Sequence, residues 1–177
     1  MKILMLEGSP HRHGSSACLA EAFEKGARQA GHEVESIWVG QGEIHPCLGC
    51  DHCAMDGPCV FQDEMEGIQK RILDCDLLVL VTPVYYFGMS AQLKAVIDRF
   101  YAFNGRLCRK RLKTALIAAA WDDDDDVMRY LAAHYDKLCR YLNFQDQGMV
   151  LGTGCGTLSM TKNSGFVEKA HAFGRSL

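Results

Sequence analysis

Five consecutive apolar residues, Leu77-Leu78-Val79-Leu80-Val81, run without a polar interruption and stop at Thr82-Pro83. A strand with no polar residue has no solvent face, so this stretch predicts the centre of a parallel sheet covered on both sides. The surrounding chain agrees. Lys2–Glu7 reads as a buried first strand, His32–Val39 as a second, Thr114–Ala120 as a fourth and Gln147–Leu151 as a last. Between them lie helical stripes: Leu19, Phe23, Ala27 and Ala30; Met65, Ile68 and Ile72; Leu93, Val96, Ile97 and Phe100; Met128, Leu131, Tyr135 and Leu142. A final helix runs from Gly165 to about Gly174. Strands alternating with helices predict a three-layer α/β sandwich.

No repeat, linker or low-complexity block divides the 177 residues, so a single domain over 1–177 is expected, with a cysteine-rich loop, 46–60, inserted after the second strand. A net charge of −3 gives no electrostatic footprint for nucleic acid or an anionic membrane. The apolar runs are too short for a signal peptide or a membrane span, and a cytoplasmic location is expected. Nine cysteines, an odd number, argue for thiol and metal chemistry over a disulfide framework.

Two loops follow strand ends. The first, Gly8-Ser9-Pro10-His11-Arg12-His13-Gly14-Ser15-Ser16, joins the first strand to the first helix. Backbone N–H groups and the helix dipole favour a phosphate there. Neither the dinucleotide pattern G-x-G-x-x-G nor the triphosphate pattern G-x-x-x-x-G-K-[ST] is present, so a monophosphate such as that of FMN fits better. The plainer alternative is a polar turn in which Ser15 or Ser16 caps the helix. The second loop, Pro83-Val84-Tyr85-Tyr86-Phe87-Gly88, places three aromatics at the carboxyl end of the central strand, where open α/β sheets bind ligands. They suit stacking on a planar ring, or burial by a partner subunit.

The motifs Gly8-Ser9-Pro10…Gly14-Ser15-Ser16, Cys47…Cys59 with Asp63-Glu64-Met65, and Thr82-Pro83-Val84-Tyr85…Leu93-Lys94…Asp98-Arg99 together resemble the flavodoxin-like NAD(P)H-dependent FMN reductases, most of all the iron–sulfur flavoproteins. The resemblance covers residues 1–99 with specific motifs. It implies a five-stranded parallel sheet in the order 2-1-3-4-5 with FMN at the strand carboxyl ends. By position, Ser9, His11, Gly14, Ser15 and Ser16 would hold the phosphate, and Pro83, Val84, Tyr85, Tyr86, Phe87 and Gly88 would lie against the isoalloxazine. Cys47, Cys50, Cys53 and Cys59 would bind a [4Fe–4S] cluster. A homodimer or homotetramer is also implied.

Two departures from the family pattern stand out. His11 and Ser15-Ser16 occupy positions where such proteins usually carry Arg and Asn-Thr. Asp122-Asp123-Asp124-Asp125-Asp126 replaces a Gly-rich turn, and Asp122 or Asp123 is expected to cap the next helix. The C-x2-C-x2-C-x5-C spacing suits a cubane better than zinc, which favours separated pairs. A flavin-only protein that keeps the cysteines is the rival. The expected activity is an FMN-dependent oxidoreductase. NAD(P)H or a ferredoxin-like donor would supply electrons; a quinone, flavin, dioxygen or protein would accept them. A non-catalytic electron carrier or redox sensor, and a flavin-free zinc module, are the alternatives.

Overall fold

The computed structural model describes residues 1–177. Strands β1 (Lys2–Glu7), β2 (Glu33–Trp38), β3 (Leu77–Tyr85), β5 (Lys113–Ala119) and β6 (Gln145–Gly152) pair in parallel in the order β2-β1-β3-β5-β6. Counted without the short β4 (Gly88–Met89), this is the expected 2-1-3-4-5 order. β4 folds back antiparallel on the end of β3, pairing Tyr85 with Gly88, and was not expected.

The apolar run that reads as central is central. Leu77 to Val81 are at most 1% exposed, flanked by Ile3–Glu7 of β1 and Lys113–Ile117 of β5. Alternate side chains feed opposite layers. Ile3, Met5, Leu77, Val79, Ala115 and Ile117 point toward α1 (Ser15–Gln29) and α7 (Phe166–Arg175), meeting Leu19, Phe23, Ala27 and Ala170. Leu4, Leu6, Leu78, Leu80 and Leu116 face the other layer, formed by α2 (Met65–Asp74), α3 (Ala91–Asp98), α4 (Asn104–Lys110) and α5 (Asp126–Leu142). Phe23 is fully buried with its ring 5.4 Å from that of Phe173, edge to face. Truncating it to Ala would cost about 3–5 kcal/mol. Cys75 and Cys139 are core residues, and burial pushes the Cys75 thiol up to about 12.

Some boundaries differ from the sequence reading. The Asp run does not cap α5 with a side chain; the helix starts at Asp126, and Asp122 and Asp124 instead bond to the N–H groups of Asp124 and Asp126. A 3-10 turn (Arg99–Phe103), α4 and α6 (Leu158–Lys162) were not expected, being too short to show a hydrophobic period. Arg99, which falls outside the apolar stripe of Leu93, Val96, Ile97 and Phe100, is nonetheless only 2% exposed. No helix is long and apolar enough to cross a membrane. Parallel pairing brings the segments after β1, β3, β5 and β6 to one end of the sheet, where the candidate site lies.

Candidate functional site

The loop after β1 is held from two directions. On one side, Gly8 N–H donates to Val81 O at 2.9 Å. Ser90, fully buried, donates its hydroxyl to Gly8 O at 2.7 Å while accepting from Leu93 N–H as the N-cap of α3. A side chain at Gly8 would put its Cβ 2.5 Å from that of Leu93, so loop and helix touch at the backbone. On the other side, Trp38 Nε1–H donates to Ser9 O at 2.8 Å. A Cβ at Gly40 would lie 1.8 Å from the same oxygen.

Between these anchors the loop turns tightly. Gly14 N–H donates to His11 O, and the 5% exposed Ser9 accepts the His11 N–H on its Oγ at 3.1 Å. No side chain caps α1. The backbone N–H groups of Ser15, Ser16 and Ala17, and the hydroxyls of Ser15 and Ser16, make no hydrogen bond within the chain. The helix-cap alternative for these serines therefore fails. What stands at the helix start is a set of free donors that an anion would satisfy. His11 and His13 are exposed, and Arg12 lies over the Trp38 ring, 5.2 Å from its centroid.

The second loop is strained. Pro83 and Val84 are half-buried, but the chain then reverses through Tyr86 (φ 46°) and Phe87 (φ 64°) in a two-residue turn between Tyr85 and Gly88. Hairpins of this kind favour Asn-Gly because both central residues need φ > 0. Two aromatics here cost about 1–2 kcal/mol each in backbone energy. The turn leaves Tyr86 fully exposed and Phe87 half-exposed, edge to face with Tyr130 of α5 at 6.2 Å. Thr82, buried, braces the turn by accepting Ser90 N–H at 2.9 Å. One hydroxyl pair, Thr82 and Ser90, thus joins both loops. In the sequence Thr82 stands only as part of a motif, with no bracing role, and Ser90 before the Leu93 stripe has the form of an N-cap.

After β6, Cys155 N–H donates to Ala120 O and Gly154 N–H to Asp122 O, tying this turn to the end of β5. Cys155 is 2% exposed and packs into the sheet-side core.

The cysteine loop forms a second candidate site. Residues 39–64 carry neither helix nor strand. Cys47, Cys50, Cys53 and Cys59 all line one cavity of about 370 Å³, shared with Phe61 and Tyr101. Gly49 (φ 66°), Asp51 (φ 57°), Ala54 (φ 41°) and Met55 (φ 70°) all take the left-handed conformation. Backbone that alternates handedness can gather N–H groups around an anion. Gly49 N–H already donates to Cys47 Sγ at 3.4 Å. Tyr101 OH fixes Asp51 at 2.7 Å, and Asp56 accepts from Arg106 N–H and Arg109. No three His, Cys, Asp or Glu side chains converge closely enough to hold a single metal ion. A tetrahedral zinc site would need its sulfurs about 3.8 Å apart, given Zn–S near 2.3 Å. In a cubane each thiolate takes its own iron, so its ligands surround a space. Four thiols lining one cavity are the donor set that such a centre would need.

An ion pair closes the base of the loop. Arg99 donates to both carboxylate oxygens of Asp63, at 2.8 and 3.2 Å, and to His45 O at 2.8 Å, with side chains 2% and 5% exposed. Burial would raise the Asp63 pKa, but Arg99 and the N–H groups of His45 and Met65 outweigh it and hold the carboxyl below its ordinary value. Sequence spacing could not have paired these two residues, which lie 36 positions apart.

The sequence profile described as NADPH-dependent FMN reductase matches residues 1–129. The chain belongs to that family. An iron–sulfur flavoprotein of Archaeoglobus fulgidus is 33% identical over 106 residues, 60% of this chain and 48% of that protein. A Bacillus subtilis protein, provisionally named an NAD(P)H-dependent FMN-containing oxidoreductase, is 29% identical over 161 residues, 87% of this chain and 86% of its own. Among solved structures, an NAD(P)H:quinone oxidoreductase from Methanothermobacter marburgensis superposes with a TM-score of 0.80 at 18% identity, covering 99% of this chain and 95% of that one. At that identity the likeness establishes the flavodoxin-like fold of this FMN reductase family member. The chain spans about half the length of the iron–sulfur flavoproteins it matches.

Proposed function

We propose that this chain is an FMN-dependent oxidoreductase that draws electrons from NAD(P)H or a ferredoxin-like donor. The acceptor is a quinone, a flavin, dioxygen or a protein. The observation that carries the reading is the set of unpaired donors at the start of α1, facing the same sheet end as the strained aromatic turn. Ser9, Gly14, Ser15 and Ser16 hold the phosphate, with His11 at the rim. Pro83, Val84, Tyr85, Tyr86, Phe87 and Gly88 form the shelf for the ring. Bound FMN supplies hydride chemistry, taking two electrons and a proton from a nicotinamide and releasing them to an acceptor. The chain supplies placement: donors for the phosphate, an apolar shelf, and no side chain required as acid or base.

Cys47, Cys50, Cys53 and Cys59 hold a [4Fe–4S] cluster, which moves electrons singly. Support comes from the shared cavity and the left-handed backbone positions, together with relatives named iron–sulfur flavoproteins. The chain acts as a single domain, and a second copy in a homodimer or homotetramer covers the exposed Tyr86, Phe87 and Trp121. Anaerobic purification of Cys50→Ala tests the division of labour. Flavin bands should persist while the broad iron–sulfur absorbance and the acid-labile sulfide disappear. Unchanged iron and sulfide in that variant would remove Cys50 from the ligand set. Exchange of electrons with a protein partner, with no turnover of NAD(P)H, would favour the carrier alternative.

A further inference from the structure

Arg99 has one donor left over. Its Nη1 and Nη2 atoms serve Asp63 and His45 O, and its Cζ sits 5.3 Å from the Phe61 centroid. Its Nε–H is buried and has no hydrogen-bond partner. A buried donor without an acceptor costs about 1–3 kcal/mol, and more when it carries charge. Arg99 and Cys59 line the same cavity of about 320 Å³ between the cysteine loop and α2. Of the residues lining it, Glu66 is exposed on the surface of α2, and Cys59 carries the sulfur that becomes an anionic acceptor on ligating a metal centre.

The Asp63 fork fixes the direction of this donor. With both carboxylate oxygens occupied by Nη atoms, the guanidinium plane is set and Nε–H has one direction to point.

We propose that Arg99 is a positioning residue that donates Nε–H to the Cys59 thiolate of the cluster and holds the cluster's reduction potential up. The inference rests on the cluster reading above. A hydrogen bond and positive charge at a ligating sulfur favour the reduced, more negative cluster, because they offset its added charge. Asp63 and His45 O aim the donor.

The test is an EPR-monitored redox titration of anaerobically prepared protein, with iron and sulfide measured on each sample. The variant Arg99→Gln/Asp63→Asn removes one charge of each sign, so net charge is unchanged and only the local donor is lost. It should keep its iron while its potential falls by about 59 mV, a tenfold change in a one-electron equilibrium. Arg99→Lys keeps the charge without the fork and should fall by a smaller amount. Should both variants lose the fold, wild-type protein labelled with [15N]arginine carries the test. A coupling from an arginine nitrogen to the reduced cluster's electron spin supports the contact, and its absence overturns it. Variants with full iron and an unmoved potential overturn this inference alone. Wild-type protein free of iron and sulfide overturns the cluster reading, and the inference with it.

Discussion

Ser16 is a buried residue whose polar groups are left free by the fold. It is 2% exposed, yet neither its hydroxyl nor its N–H has a partner in the chain. Because the hydroxyl contributes nothing to the chain's own hydrogen bonding, Ser16→Ala should leave stability nearly unchanged. It should weaken FMN binding about tenfold, the worth of one hydrogen bond to a charged group. Fluorescence titration of apoprotein with FMN reads this directly, and an unaltered affinity would remove Ser16 from the cradle. Asp63 behaves in the opposite way. Its partners are all within the chain, so Asp63→Ala should cost about 3 kcal/mol by leaving Arg99 buried without its counter-charge. The sign with pH follows from the depressed carboxyl. The contribution is complete above the unfolded value of about 3.9 and is lost as pH falls through the lower folded value. Urea unfolding across a pH series should therefore show a steeper acid limb in the wild type than in Asp63→Ala.

Among the elements, the turn between β3 and β4 departs furthest from what its backbone prefers. Tyr86 and Phe87 occupy conformations suited to Asn and Gly. Tyr86→Asn/Phe87→Gly should stabilise the apoprotein by about 1–2 kcal/mol while weakening FMN binding and slowing turnover. Thermal unfolding and titration on one preparation separate the two effects; a destabilised variant would show that the aromatics are structural. The same turn shows the reach of sequence reasoning. Its position at a strand carboxyl end was evident from the apolar run ahead of it, because burial on both faces leaves a periodic trace. Its hairpin form was not, since no Asn-Gly or Asp-Gly marks it. The five parallel strands and long helices were readable for the same reason as the run. The elements without trace were α4, α6 and the 3-10 turn, each shorter than two full hydrophobic periods. Arg99 looked polar because periodicity reports a face, whereas its burial depends on a carboxylate from a distant loop.

At the scale of the molecule, the two candidate sites are built in different ways. The loop after β1 and the aromatic turn are built into the sheet end, braced by Ser90, Thr82, Trp38 and Gly40. The cysteine loop is an excursion between β2 and α2, pinned by side chains of the Arg99–Arg109 segment. Its four thiols could be read from spacing; the pins could not, because they join positions about fifty residues apart. The proposed flavin site should therefore survive damage to the loop. The account as a whole is tested most directly by the visible spectrum of anaerobically purified protein, taken with its FMN, iron and sulfide content. About one FMN per chain, with about four irons and four sulfides, is the predicted result. A colourless protein that takes up no FMN on incubation, or one carrying a single zinc, would contradict it.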